Sequence, residues 1–160
     1  MVDKVLFSSA SDEWSTPADL FNKLDAVFHF DLDPCATDGN HKCAEYFTKA
    51  EDGLTQAWSP AYKSVFINPP YSQIAQWVEK AGYEAHGHAF DAAPVTVMLI
   101  PSRTDTRWFH GIVRYAQAIY FIKGRVKFVG GKHSAPFPSM VVVFGSAETP
   151  EIEGMLRAKI

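Results

Sequence analysis

Residues 65–72 read VFINPPYS. Three apolar residues run into an asparagine, two prolines and a tyrosine, so a buried strand would end with a polar side chain held at its tip. Pro69 and Pro70 have no backbone N–H and a fixed φ, which makes the turn after Asn68 rigid and leaves the Pro69 carbonyl free to accept a hydrogen bond from a ligand. With the Asn68 side-chain oxygen it makes two acceptors aimed at one point, a pair that fits an exocyclic amino group. Tyr71 adds an aromatic face on which a base extruded from a duplex can stack. The plainer alternative is a tight turn with Tyr71 in the core.

Outward from this stretch, strands and helices alternate. SQIAQWVEKAGYEA (72–85) predicts a helix and VTVMLIP (95–101) a strand buried on both faces. In STPADLFNKLDAVF (15–28), Ser15 or Thr16 serves as N-cap and Pro17 opens the first turn. Leu20, Phe21, Leu24, Val27 and Phe28 then share one helical face. FHFDLDP (28–34) reads as a short strand ending at Asp33, and EYFT (45–48) as another. DTRWFHGIVRYA (105–116) reads as a helix, AIYFIKG (118–124) and SMVVVFG (139–145) as strands, and AHGHAFDAAP (85–94) as a loop with His86 and His88 on its surface. Trp58 and Trp77 read as packing residues.

This order predicts an α/β layer with a mostly parallel sheet, in which ligands sit at the carboxyl ends of the strands. That rule brings DLDPCATDGN (31–40) and INPPYS (67–72) to one rim. Asp33, at a strand end, is a candidate partner for a ligand ribose or amine, or else a turn cap, and Asp31 alternates with it toward the same side. The segment offers only Gly39 and no glycine-rich phosphate loop, which disfavours dinucleotides and nucleoside triphosphates.

Composition bounds the reading. A chain of 160 residues with 47% hydrophobic content is the size of one compact domain with a proper core. It has no apolar run of membrane-spanning length and no cleavable leader pattern, so a soluble, cytoplasmic protein with no membrane partner is expected. Two cysteines are too few for a disulfide scaffold. Cys35, His41 and Cys43 lack the paired spacing of a zinc motif, so no metal is expected. The net charge of -3 is uneven: residues 1–100 hold six basic against fourteen acidic side chains, and residues 101–133 seven against one. The seven are Arg103, Arg107, Arg114, Lys123, Arg125, Lys127 and Lys132. Their field suits a polyanion such as nucleic acid, the alternative being an ordinary solvated surface.

EWSTP (13–17), FDLDPCA (30–36), EDGL (51–54), INPPYS (67–72), LIPSRTDTRWFH (99–110), KGRVKF (123–128) and APFPS (135–139) follow one another across nearly all of residues 13–145. In that order and spacing they resemble the phage-type, Dam-like DNA adenine N6-methyltransferases, which use S-adenosylmethionine. NPPY alone discriminates less, because amino-methyltransferases acting on protein glutamine carry it too. The resemblance implies a class I S-adenosylmethionine-dependent methyltransferase (Rossmann-like) fold, mostly parallel with a C-terminal antiparallel strand. Residues 1–160 would form a single domain without a separate target-recognition domain.

For the site, the resemblance implies a catalytic motif of Asn68, Pro69, Pro70 and Tyr71, with Asn or Asp admitted at its first position. Trp14, Thr16 and Pro17 would border the methionine end of the cofactor, Asp33, Pro34 and Cys35 would form its loop, and Asp52 and Leu54 would lie near its adenine. Ser72, Arg103, Arg107, Arg125, Lys127, Lys132 and His133 would contact DNA. The implied reaction is methyl transfer to adenine N6 in DNA by base flipping, with short or relaxed sequence specificity, in the bacterial cytoplasm if the protein is phage or prophage encoded. RNA adenine, cytosine N4 or protein glutamine remain as other substrates, and an inactive nucleic-acid-binding module as another class.

Overall fold

The strand that leads to Asn68 is β1, Ser64–Ile67, buried along its whole length. A computed structural model describes residues 14–87, 93–111, 113–131 and 133–158. In chain order its elements are α1 (Ala18–Phe28), β1, a 3-10 turn (Tyr71–Gln73), α2 (Ile74–His86), β2 (Val95–Pro101), α3 (Arg107–Gly111), a second 3-10 turn (Val113–Tyr115), β3 (Ala118–Ile122), β4 (Ser139–Phe144) and β5 (Met155–Ala158).

The five strands form one sheet in the order β1-β2-β4-β3-β5. β1 pairs with β2 in parallel, Val65 opposite Thr96 and Ile67 opposite Met98. The other three pairings are antiparallel. The sheet is therefore mixed rather than mostly parallel. The reason lies in β4, which inserts between β2 and β3 with reversed direction and contributes two of the antiparallel pairings. β3 still runs the same way as β2, because both oppose β4. β5 is an edge strand with no buried face: Leu156 and Arg157 are exposed, and Met155 and Ala158 at its ends are only partly covered.

Beyond β1 the ladder continues as bridges. Leu32 pairs in parallel with Val65, and Asp33 with Tyr46. The FHFDLDP and EYFT segments thus contribute single bridges, because the chain leaves the sheet at Pro34. The Asp31 carboxylate accepts from the N–H groups of Lys63 (2.9 Å) and Ser64 (3.0 Å). It fastens the start of β1 and does not join Asp33 at the rim.

Alternation along the strands builds two cores. Val65, Ile67, Met98, Ile100, Met140 and Val142 face α2, whose Ile74, Trp77, Val78, Ala81 and Ala85 cover them. Phe66, Val97, Leu99, Tyr120, Val141 and Val143 face the other way, under Phe21, Leu24 and Phe28 of α1. Each fully buried side chain of this size contributes about 1.5–3 kcal/mol, so the layering α/β/α follows from pattern alone.

Helix ends depart from expectation in two places. α1 starts one residue later, with Pro17 at the cap position and no side-chain cap bond, since Thr16 turns its hydroxyl toward Asn68. It stops at His29, which adopts a left-handed φ of 54° and donates to the Asp25 carbonyl. Among the described residues of 105–116, expected to form one helix, the structure has the short α3 and a 3-10 turn.

Candidate active site

Asn68 follows β1 directly and stands half-buried at the carboxyl rim of the sheet. Both ends of its side chain and its backbone carbonyl have partners. Its Nδ2 donates to the Trp14 carbonyl and to Thr16 Oγ1 (3.0 Å). Its Oδ1 lies 3.4 Å from the Tyr71 hydroxyl, which donates. Its backbone carbonyl accepts from Cys35 Sγ (3.3 Å). Burial pushes the Tyr71 hydroxyl and the Cys35 thiol well up, so both remain protonated donors. The Pro70 carbonyl starts the following turn by accepting from Gln73 N–H.

Behind this residue opens a cavity of about 490 Å³. Trp14, Thr16, Asp33, Pro34, Cys35, Asp52 and Leu54 line it, with Asn68, Pro70 and Ser72. Pro17, Pro69 and Tyr71 stand outside the lining. Tyr71 belongs to an aromatic group instead: its ring centroid is 6.5 Å from Trp14 and 5.4 Å from Phe137, and Trp14 packs edge-on against Phe128 and Phe137. Asn68 thus stands at the rim of the sheet, while Tyr71 packs against the core as in the plainer reading of NPPY.

Asp33 is 5% exposed, and its Oδ2 accepts from Lys42 N–H (3.0 Å). Burial pushes its carboxyl up to about 6 from an ordinary 3.8, against the pull of the Lys42 and Cys35 N–H groups and the charges of Lys42 and His41. The opposite wall is the turn through Asp52, which takes a left-handed φ of 55° and caps its own turn by accepting from Leu54 N–H. Gly53 brings the two walls together. A β-carbon there would sit 2.0 Å from the Pro34 oxygen and 3.0 Å from Trp77 Cη2, so only glycine fits. Trp58, fully buried, donates from its ring N–H to the Gly53 carbonyl (3.0 Å), and Lys80 holds the Gln56 carbonyl (2.6 Å) while pairing with Glu84 (2.7 Å).

Several lining residues had no signal in the motifs: Thr37, Asn40 and Lys42 in the loop between the two bridging segments, and Gln73, Gln76 and Trp77 at the start of α2. The last three share one helical face, a spacing visible in the sequence, and Trp77 both packs and lines the cavity. Asn40 donates to Ser15 Oγ (3.4 Å) and accepts from Thr37 N–H (2.7 Å).

The basic candidates stand outside the cavity. Arg103, Arg107, Arg125, Lys127 and His133 are exposed; Lys132 and His88 lie outside the described residues. Between Arg125 and Val129 exposure alternates, with Val126 and Phe128 buried beneath the two cations. This segment runs beside the site, because Val129 N–H donates to the Ser15 carbonyl (3.0 Å). Gly130, at φ 83°, then turns the chain. Among the described residues no helix is long and apolar enough to cross a membrane, and no three His, Cys, Asp or Glu side chains converge as a metal site.

A family profile described as DNA N-6-adenine-methyltransferase (Dam) matches residues 4–150. The chain is 31% identical over 144 residues to the DNA N-6-adenine-methyltransferase of Haemophilus phage HP1, covering 85% of this chain and 80% of that protein. It is 31% identical over 114 residues to the protein of the same name from Escherichia phage T1, covering 70% of this chain and 45% of that protein.

Proposed function

The chain belongs to the DNA N-6-adenine-methyltransferase (Dam) family, and on that premise we propose that it transfers a methyl group from S-adenosylmethionine to the N6 of an adenine extruded from duplex DNA. As a family member it is an adenine DNA methyltransferase. The observation that carries the finer reading is the fixed Asn68 carboxamide, whose nitrogen is engaged by Trp14 and Thr16, so that its oxygen, which accepts a long bond from the Tyr71 hydroxyl, keeps a second lone pair for a substrate donor.

The cavity fits the cofactor. Its 490 Å³ lies within the usual range of about 300–1,000 Å³ for small-molecule sites. Apolar Leu54, Phe66 and Trp77 sit beside the carboxylates of Asp33 and Asp52, a mixed lining suited to a cationic nucleoside. S-adenosylmethionine carries no phosphate, so a glycine-rich phosphate loop is not needed. The direction shared by the Tyr46 and Leu32 bridges, β1, β2 and β3, with β4 and β5 reversed, supports a class I methyltransferase architecture.

When bound, S-adenosylmethionine supplies a methyl group on a sulfonium, an already good leaving group. What the protein adds is placement. Adenine N6 is a weak nucleophile because its lone pair is delocalised into the ring. Asn68 Oδ1 and the Pro69 carbonyl, accepting its two hydrogens, favour the pyramidal amine whose lone pair can point at the methyl group. Tyr71 and Trp14 offer ring surface to the extruded base. No strong base is required, and a neutral carboxamide suffices.

Arg125, Lys127 and His133, exposed beside the site, suit DNA phosphates better than a long base code. A short or relaxed recognition sequence follows, in the bacterial cytoplasm where host or phage DNA is found. The test is Asn68→Ala: cofactor affinity by calorimetry is expected to stay near that of the parent protein while the transfer rate falls roughly 100-fold, the usual scale for one well-placed polar group. Near-normal turnover would refute the role.

A further inference from the structure

We infer that Thr16 is a positioning residue for Asn68, and that with the Trp14 carbonyl it makes position 68 selective for a carboxamide over a carboxylate. The inference rests on the proposed methyl transfer and deepens it. A carboxamide has a donor end and an acceptor end, and only the acceptor end can receive a hydrogen from a substrate amine. Rotated by half a turn, Asn68 would present its NH2 group to that amine and align nothing. The Trp14 carbonyl decides between the two orientations, because it has no hydrogen to give and can face only the Nδ2 end. Thr16 Oγ1 takes the second Nδ2 hydrogen at 3.0 Å.

Both partners are held in place from outside. Thr16 is 2% exposed, so water does not compete for its hydroxyl. The Trp14 ring is packed against Phe128 and Phe137, and the Ser15 carbonyl between the two residues is bonded to Val129 N–H. A carboxylate at position 68 would turn an oxygen toward the Trp14 carbonyl with no hydrogen between them. On that side only the Thr16 hydroxyl could rotate to donate, and the other oxygen would keep only the long bond from Tyr71, so the charged form is disfavoured there. Thr16 also lines the cavity, and a cofactor contact is the competing role to be separated.

The experiment uses the full chain with duplex DNA and S-adenosylmethionine. Thr16→Val, nearly equal in shape, is expected to lower kcat about tenfold, equivalent to about 1.4 kcal/mol in the barrier, while calorimetric affinity for S-adenosylmethionine stays unchanged. Thr16→Ser, which keeps the hydroxyl, is expected to recover most of the rate. Asn68→Asp is expected to be active only at low pH, where the introduced carboxyl is neutral, and Asn68→Asp combined with Thr16→Val to shift that limb to higher pH.

The titratable groups around position 68 are Tyr71 and Cys35, which stay neutral, and Asp33 behind Cys35. Asp33 is present in every variant, so the parent profile subtracts it. Unchanged kcat in Thr16→Val, weakened cofactor affinity with kcat intact, or a flat pH profile in Asn68→Asp would each overturn the inference. Should Thr16→Val fail to fold, the profile of Asn68→Asp decides alone. Failure of the parent protein to methylate adenine would instead overturn the proposed function.

Discussion

Gly53→Ala tests whether the two walls of the cavity meet as described. The new β-carbon would lie 2.0 Å from the Pro34 oxygen, 3.0 Å from the Pro34 carbonyl carbon and 3.0 Å from Trp77 Cη2. Ordinary contact begins at about 3.4 Å, so the first distance must open by more than 1 Å. Neither neighbour can give easily: the Pro34 atoms are backbone, and Trp77 is a buried indole pressed on the sheet. Overpacking of this kind costs about 1–3 kcal/mol. For a chain of this length each kcal/mol moves the midpoint by about 2–4 °C, giving a Tm lowered by about 2–12 °C. The relief must come from separating Pro34 from the Asp52–Leu54 turn, so S-adenosylmethionine affinity, measured by calorimetry well below the new Tm, is expected to fall as well. Gly39→Ala is the control, since its β-carbon would meet nothing closer than 4.0 Å. A Gly53→Ala protein with parent Tm and parent cofactor affinity would refute the contact and the cavity built on it.

Two further perturbations address charge. The Asp33 carboxyl titrates near 6 in the folded chain against an ordinary 3.8, so its contribution to stability is fully present below about pH 4 and is lost as pH rises through about 6. At 1.36 kcal/mol per pH unit the loss amounts to about 3 kcal/mol, and denaturant midpoints of the parent and Asp33→Asn at pH 4.5 and 7.5 should diverge in that direction; parallel profiles would refute it. Arg125→Ala with Lys127→Ala should weaken DNA binding on all sequences and reduce the slope of log affinity against log salt by about 0.9 per lost phosphate contact. Fluorescence anisotropy across a salt series measures this, and an unchanged slope would place the DNA elsewhere.

Much of this was legible in the sequence where one residue type had one physical use. VTVMLIP and SMVVVF are apolar at all positions but Thr96 and Ser139 because both faces of β2 and β4 are covered, and a strand ending on Asn-Pro-Pro advertises a rigid polar tip. Sheet polarity was not legible, because nothing local to SMVVVF says that it slots between β2 and β3 in reverse. The helix over 105–116 misled through its apolar spacing, yet α3 has only five residues and ends at Gly111. At the site, Asp31 and Asp33 look equivalent in DLDP, and only the partners of each carboxylate separate a strand anchor from a cavity wall. Thr16 reads as a helix cap or a cofactor neighbour until Asn68, 52 residues away, is seen to claim its hydroxyl.

The central claim is the identity of the atom that receives the methyl group. Incubation of the protein with isotopically labelled S-adenosylmethionine and unmethylated duplex DNA, followed by digestion to nucleosides and mass spectrometry, reads it directly. The account predicts label in N6-methyldeoxyadenosine, dependent on Asn68. Label confined to cytosine N4, or found on RNA or protein but not on DNA, would contradict it.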